Sequence, residues 1–462
     1  MSEDKSYYFC GIGGSGMLPL AMILREHGAT VSGSDRALDQ GRLAAKFEWL
    51  QKKGIGLFPQ DGSGLHSGDQ TLIASAAIED SVPDIARANA LGCQRMTRAE
   101  LLASLFNVMP HSIAIGGTSG KSTVTGMIGW ILTEAGLDPT IMNGAVMKNF
   151  AGDDAPFASS LVGHGEVMVS EVDESDGSIA LFNPEIAVLN NVSLDHKSLE
   201  ELRQLFGDFA AKAKVAIWNA DDEETVAIIK SLDLRNDVSF GFASNAHFRL
   251  SDVKEAPLSS TFTLLVEGQT HQVKLLVPGL HNIANAVSAI AAASAAGVRV
   301  EDSIRALSGF TGLARRFDIV GTQNEISLID DFGHNPDKIG ATLKTLKAFP
   351  GRVIAFFQPH GFGPIHKMGA ELAETFVELL DGDDRVLLCD PVYFGGTVDR
   401  SIGSDSITEA VNAAGGNASH IAEREACGDH IVEIAQPGDR IVIMGARDDS
   451  LRSFAEEILW RL

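Results

Sequence analysis

The chain has 462 residues, of which 45% are hydrophobic and 21% charged. That length exceeds what one hydrophobic core usually supports, so about three domains are expected, and the composition excludes disordered and fibrous classes. Lysine and arginine number 37 against 61 aspartates and glutamates, a net charge of −24, which repels a nucleic-acid backbone and makes DNA and RNA poor partners.

The opening MSEDKSYYFC carries mixed charges without the basic and apolar blocks of a signal peptide. Residues 7 to 35 read as an aromatic strand, a glycine turn, an apolar helix ending at Gly28 and a second strand ATVSG, which is a βαβ unit. QTLIASAAI then predicts a strand, with VPDIARANALG and RAELLASLF predicting helices, so residues 1–108 alternate as a small doubly wound sheet does. Pro110 and the strand SIAIGG open a second α/β unit, 109–312. It holds the strands EVMVSEVD, IAVLNNV and KVAIWNA, a β-rich interval over 237–277 and the alanine-rich helix NIANAVSAIAAASAAG. From 313 to 462 four strand candidates, ISLIDDFG, RVIAFFQPH, DRVLLCD and DRIVIMGA, alternate with helices as a third α/β unit. The four cysteines, Cys10, Cys93, Cys389 and Cys427, are widely spaced without a CxxC pair. They predict neither a disulfide framework nor a zinc ribbon, but a reducing, cytoplasmic setting. No apolar run reaches the roughly 18 residues that cross a bilayer, so no membrane partner is expected.

Two glycine clusters carry the chemistry. Gly116, Gly117, Gly120, Lys121 and Ser122 lie between the strand SIAI and an apolar helix, where backbone N–H groups and a helix N-terminus attract phosphate, the lysine adds a point charge and the Ser122 hydroxyl suits Mg²⁺. The spacing is the short form GTSGKS, because Ile115 stands where GxxxxGK[ST] would place its first glycine. A flexible turn with a solvated lysine is the bland alternative. The second cluster, GIGGSG, matches GxGxxG through Gly11, Gly13 and Gly16, and Asp35 follows the last glycine by 19 residues, where a ribose hydroxyl would be met. Taken alone this turn suggests an NAD-dependent dehydrogenase. Together the two turns suggest two phosphorylated ligands.

GIGGSGM with VSGSD, GTSGKST, EVDESD, NNVSLDH, GLHNIANA, ARRF, DDFGHNP and FQPH occur in the order and at about the intervals found in the Mur ligases. The chain resembles that family over nearly its whole length. The resemblance implies three α/β domains: a Rossmann-like domain for a UDP-sugar, a central P-loop ATPase domain and a C-terminal Rossmann-like domain. It also implies an ADP-forming ligase in which ATP phosphorylates a carboxylate and an amine attacks the acyl phosphate. The implied substrates are UDP-N-acetylmuramate and L-alanine or a short peptide (L-Ala-γ-D-Glu-meso-diaminopimelate), with ATP and Mg²⁺ as cofactors, on a monomer or weak homodimer.

Residue by residue, the resemblance implies that the ATP phosphates lie along Gly117, Thr118, Ser119, Gly120, Lys121, Ser122 and Thr123. His281, Asn282 and Asn285 would line the adenine side, although the asparagines read locally as helix caps. Mg²⁺ would be held by Ser122, Glu171 and His196, the last two being 25 residues apart. Gly11, Gly13, Gly14, Ser15, Gly16, Met17, Ser34, Asp35 and Ser75, with Glu174, Ser175 and Asp176, would contact the sugar nucleotide. Arg316 would meet the transferring phosphoryl group, Asp331 a ribose, and His334 and His360 the reacting groups, with a hinge near residue 313 closing the site. Arg315 reads equally as a solvated neighbour.

The chain departs from the family pattern at Ser119, where histidine is usual, and at Phe332, where tyrosine is usual. Gly361 and Pro364 follow FQPH where the alanine-adding branch has arginine or a similar donor, and neither replaces a planar two-point grip on a carboxylate. The MDxYG that often follows His196 is absent. Phe206 takes the place at which relatives adding other amino acids carry a carbamylated lysine, which favours the alanine-type branch. A nucleotide sensor that has lost turnover is the remaining alternative.

Overall fold

The computed structural model describes residues 5–75, 78–194, 197–392, 399–448 and 450–462. Three sheets follow one another along the chain. In the first, strand Ser6–Cys10 lies at the centre of five parallel strands, with Thr30–Ser34 and Gly56–Phe58 on one side and Gln70–Ala74 and Gln94–Thr97 on the other. Parallel neighbours need crossover connections, and a strand covered on both faces must be apolar throughout. Tyr7, Tyr8, Phe9 and Cys10 are accordingly all buried. The helix expected after the first glycine turn spans Met17–Glu26, and VPDIARANALG folds as Pro83–Leu91. RAELLASLF forms Arg98–Phe106, started by a reciprocal cap in which Thr97 Oγ1 accepts from Glu100 N at 3.1 Å and Glu100 Oε2 accepts from Thr97 N at 2.7 Å.

The second sheet has ten strands, with His111–Gly116 between Ile186–Leu189 and Val167–Glu171, all parallel. The strands predicted from EVMVSEVD, IAVLNNV and KVAIWNA are shorter than their text, covering Val167–Glu171, Ile186–Leu189 and Val215–Asn219. Their polar tails leave the sheet at its carboxyl edge, where open α/β sheets place their ligands. The interval 237–277 supplies four further strands, Asp237–Gly241, Phe248–Ala256, Ser259–Val266 and Gln269–Leu275. Phe206 and Phe209 are buried, and a Cβ on Gly116 would stand 3.1 Å from Phe209 and 3.4 Å from Phe206. The Phe206 position is therefore apolar core behind the loop strand.

The third sheet runs Asp318–Gln323, Ile326–Asp331, Arg440–Gly445, Val353–Gln358, Arg385–Leu388 and Ala418–His420, with only the first pair antiparallel. Four of these match the strand candidates. Asp318–Gln323 and Ala418–His420 were not expected, because they are the edge strands and need no continuous apolar run.

By compactness the chain divides into two units. One comprises Met1–Val253, Thr261–Leu275 and Asn282–Thr311, the other Lys254–Ser260, Leu276–His281 and Gly312–Leu462. The first two sheets thus share a unit. All four cysteines are free, with Cys10, Cys389 and Cys427 buried. Among the described residues no helix is long and apolar enough to cross a membrane.

Candidate functional site

Strand His111–Gly116 ends in a loop, and helix Lys121–Glu134 begins directly after Gly120. Gly117 and Gly120 have φ of +131° and +83°, which side chains rarely adopt, and a Cβ on Gly120 would lie 2.6 Å from Asn285 Oδ1 and 2.7 Å from Asn190 Nδ2. Asparagines form the floor of this turn. Asn190 Nδ2 donates to Ser119 O at 3.2 Å and to Asn285 Oδ1 at 2.9 Å, and Asn191 Nδ2 donates to Ser119 O at 3.0 Å. Asn191 Oδ1 accepts from Ser119 N at 2.9 Å and Thr118 Oγ1 at 3.0 Å, while Asn282 Oδ1 accepts from Asn285 Nδ2 at 3.3 Å. The loop is fixed before any ligand arrives. Asn282 and Asn285 therefore brace it, in addition to any role toward adenine, and His281 is exposed at the head of the same helix.

Two acid–donor contacts sit on this turn. Lys121 Nζ donates to Glu174 Oε2 at 2.7 Å and to Gly117 O at 2.6 Å, and Ser122 Oγ donates to Glu171 Oε2 at 2.7 Å. Glu174 is buried and Thr123 half-buried. Between the two acids, Asp173 accepts from Ser175 N at 2.9 Å and Ser175 Oγ at 2.7 Å. Burial pushes the Asp173 carboxyl up, but the Ser175 hydrogen bonds, with the Lys121 and Arg98 charges, leave it below the ordinary carboxylate range. Asp176 is exposed and accepts from Ser178 N at 2.8 Å, starting the short turn Ser178–Leu181. His196 lies outside the described residues. Among the described residues no group of three His, Cys, Asp or Glu side chains is placed to hold a metal ion.

The first glycine turn is built differently. Gly11 N and Ile12 N both donate to Ser34 O, at 2.8 and 2.9 Å. Asp35 Oδ2 accepts from Gly13 N and Asp35 Oδ1 from Ala37 N, each at 2.8 Å. The aspartate expected at a ribose hydroxyl thus holds the turn with one oxygen and starts helix Arg36–Asp39 with the other. Ser34 Oγ donates to the fully buried Asp84. Gly14, Ser15 and Ser75 are exposed, Gly16 is half-buried and Met17 buried. Two cations unassigned in the sequence flank this turn: Lys46, whose Nζ donates to Gly13 O at 3.3 Å, and Arg98, whose side chain covers Gly16.

In the second unit, Arg316 lies over the Phe332 ring at 4.2 Å and His334 Nδ1 is 2.9 Å from Phe332 O. The His334 and His360 rings meet edge to face with centroids 5.3 Å apart. Burial and the Lys338 charge push His334 down to about 3, and burial with the Arg447 and Lys338 charges pushes His360 down to about 4. Both imidazoles are neutral at pH 7. Asp331 accepts from Phe317 N at 2.7 Å, Gly333 N at 2.8 Å and Thr342 Oγ1 at 3.1 Å, so it organises its own turn. Arg315 is buried, donating to Gly445 O at 2.6 Å and Asp448 O at 2.8 Å beside Asp330 at 3.5 Å, which excludes a solvated role.

Consecutive family models match the chain: the Mur ligase family catalytic domain over residues 6–108, the Mur ligase middle domain over 115–293 and the Mur ligase glutamate ligase domain over 315–447. It is 33% identical over 457 residues to a UDP-N-acetylmuramate–L-alanine ligase of Sinorhizobium medicae, covering 95% of this chain and 93% of that protein. It is 32% identical over 460 residues to the protein of the same description in Acetivibrio thermocellus, covering 97% and 94%. The fold matches the UDP-N-acetylmuramate-alanine ligase structure from Thermotoga maritima with a TM-score of 0.80 at 24% identity, covering 99% and 98% of the two chains. It matches a murein peptide ligase structure from Psychrobacter arcticus with a TM-score of 0.72, also at 24% identity and the same coverage.

Proposed function

The chain belongs to the Mur ligase family, and from that premise we propose that it joins L-alanine to UDP-N-acetylmuramate with cleavage of ATP to ADP and phosphate. In this reading 1–108 seats the sugar nucleotide, 109–312 the ATP and 313–462 the amine. The observation that carries it is the loop 117–122, where Lys121 and Ser122 are aimed at Glu174 and Glu171 from a rigid backbone cradle.

A carboxylate and the terminal phosphate of ATP repel each other, by about 4 kcal/mol for unit charges at 4 Å and an effective dielectric of 20. Lys121 opposes that repulsion by turning from Glu174 to the phosphate oxygens, and the loop N–H groups hold the chain of phosphates in line. The substrate carboxylate oxygen attacks the terminal phosphorus, ADP leaves, and an acyl phosphate forms. The amine nitrogen then attacks the acyl carbon and phosphate departs as the amide forms. His334 and His360, held neutral at about 3 and about 4, are too weakly basic to keep the proton the amine sheds, so they would serve as hydrogen-bonding groups and the proton would pass to solvent.

The donor set fits a magnesium ion. Ser122 Oγ and the Glu171 carboxylate are hard oxygen ligands 2.7 Å apart, and Gly144 leaves them room, since a Cβ there would fall 2.0 Å from Glu171 Oε1. Ser122 and Glu171 would hold the ion with His196, and when bound it supplies positive charge against the phosphate oxygens.

The second reading, attachment of a ready-made tripeptide to the same sugar nucleotide, draws on the loop after Gln358, where Gly361 and Pro364 supply no side-chain donor for a small amino acid's carboxylate. A phosphate-release assay with ATP, UDP-N-acetylmuramate and each amine tests both. Release with L-alanine is expected, release only with the tripeptide replaces the first reading by the second, and silence with every amine removes both.

A further inference from the structure

Arg98 is the first residue of helix Arg98–Phe106, in the unit that contains both glycine turns. Its side chain lies along Gly16, the last glycine of the first turn. A Cβ built on Gly16 would stand 2.7 Å from Arg98 Cδ, 3.3 Å from Nε and 3.1 Å from Nη1. Gly16 in turn precedes helix Met17–Glu26, whose first two N–H groups, those of Met17 and Leu18, donate to Gly14 O at 3.0 Å each and so tie the helix start to the turn.

The guanidinium is half-buried, yet among the described residues it makes no hydrogen bond or ion pair. That is unusual for a group with five donors. Two other half-buried arginines of this chain are engaged: Arg352 pairs with Asp439 and donates to Ile434 O, and Arg424 pairs with Asp448 and donates to Ser450 Oγ. The Arg98 charge is felt by Asp173, whose Oδ1 accepts from Ser175 N and Ser175 Oγ. Arg98 therefore lies along the last glycine of the first turn, with its donors uncommitted among the described residues.

We propose that Arg98 grips the diphosphate of the sugar nucleotide at the first turn, and that Gly16 is glycine so that the guanidinium can lie across it. The inference rests on the proposed use of that turn for a UDP-sugar. A guanidinium presents two parallel N–H donors to phosphate oxygens, which a lysine does not. The substrate's lactyl carboxylate is the competing anion.

The full-length Arg98→Gln variant, with Arg98→Lys and Gly16→Ala beside it, tests the assignment. Binding of UDP-N-acetylmuramate and of UDP-N-acetylglucosamine, which has the diphosphate but no carboxylate, is measured by titration calorimetry. Turnover is followed by phosphate release. Arg98→Gln is expected to weaken both ligands by about 10- to 100-fold, to raise KM for the sugar nucleotide alike, and to leave KM for ATP and kcat at saturation unchanged. It should also flatten the salt dependence of binding. Arg98→Lys should recover part of the loss and Gly16→Ala should reproduce it. Equal affinity of wild type and Arg98→Gln overturns the proposal while leaving the ligase reading intact. So does weakening confined to UDP-N-acetylmuramate, which would assign Arg98 to the carboxylate. Failure of the wild type to bind either UDP-sugar overturns the use of the turn itself.

Discussion

The two glycine turns look alike as text and differ in what answers their charge. At the loop 117–120, the cation is already matched: Lys121 is tied to Glu174 and Gly117 O, and three asparagines hold the backbone from below. At the turn 11–16 the backbone is fixed as firmly, by Ser34 O and Asp35, but Arg98 beside it has no acid partner among the described residues. The first arrangement suits a ligand that displaces an internal carboxylate, and the second suits one that completes an unfinished set of contacts. Glycine spacing reports only that a backbone turn must be tight.

Several substitutions press on that contrast. The largest effect is expected from Lys121→Ala, which should lower turnover by about 10²- to 10³-fold or more while leaving UDP-sugar affinity unchanged. A mutant with full ADP formation breaks the contrast at its root. Next, Asn190→Ala removes the donor to Asn285 Oδ1 and one of the two side-chain donors to Ser119 O and should raise KM for ATP by about tenfold, at a stability cost of about 1–3 kcal/mol for the stranded Asn285 oxygen. An unchanged KM would mean the loop holds its shape without its floor.

Acid sets both turns against the third sheet. The folded imidazoles of His334 and His360 are held down at about 3 and about 4, whereas unfolded ones take protons near pH 6.5. Between those limits the unfolded chain binds more protons, so stability is complete above about pH 6.5 and falls as pH drops toward 4. His360→Gln should remove on the order of 1 kcal/mol of that loss between pH 7 and 5.5, read from unfolding midpoints at the two pH values. Equal losses in both proteins would place the acid-sensitive groups elsewhere. The smallest effect is expected from Glu174→Gln, which frees Lys121 of its internal partner and should tighten ATP binding by about threefold. Weaker ATP binding would show that Glu174 aids the nucleotide instead of standing in for it.

Much of the fold was legible because βαβ units have local signatures: an apolar strand, a glycine turn and a helix with its cap. Strand limits were less so, since the polar tails of EVMVSEVD and IAVLNNV leave the sheet and only tertiary placement decides where. The loop's glycines, Lys121 and Ser122 could be read from spacing, and Glu171 from the family resemblance. The asparagine floor could not, because Asn190 and Asn285 lie 95 residues apart and each alone resembles a helix cap or a strand end. Nor could Arg315, whose burial depends on Gly445 and Asp448 carbonyls more than a hundred positions away. Arg98 offered no signal at all: it is one arginine in an ordinary amphipathic helix until folding lays it over Gly16.

The place of Arg98 at the very start of its helix carries one more consequence. Peptide dipoles add along a helix to leave partial positive charge at that end, so an arginine there works against its own element by about 0.3–1 kcal/mol. Arg98→Gln should therefore melt at a slightly higher temperature than the wild type even as it loses its ligand, the signature of a residue kept for what it holds and not for what it supports.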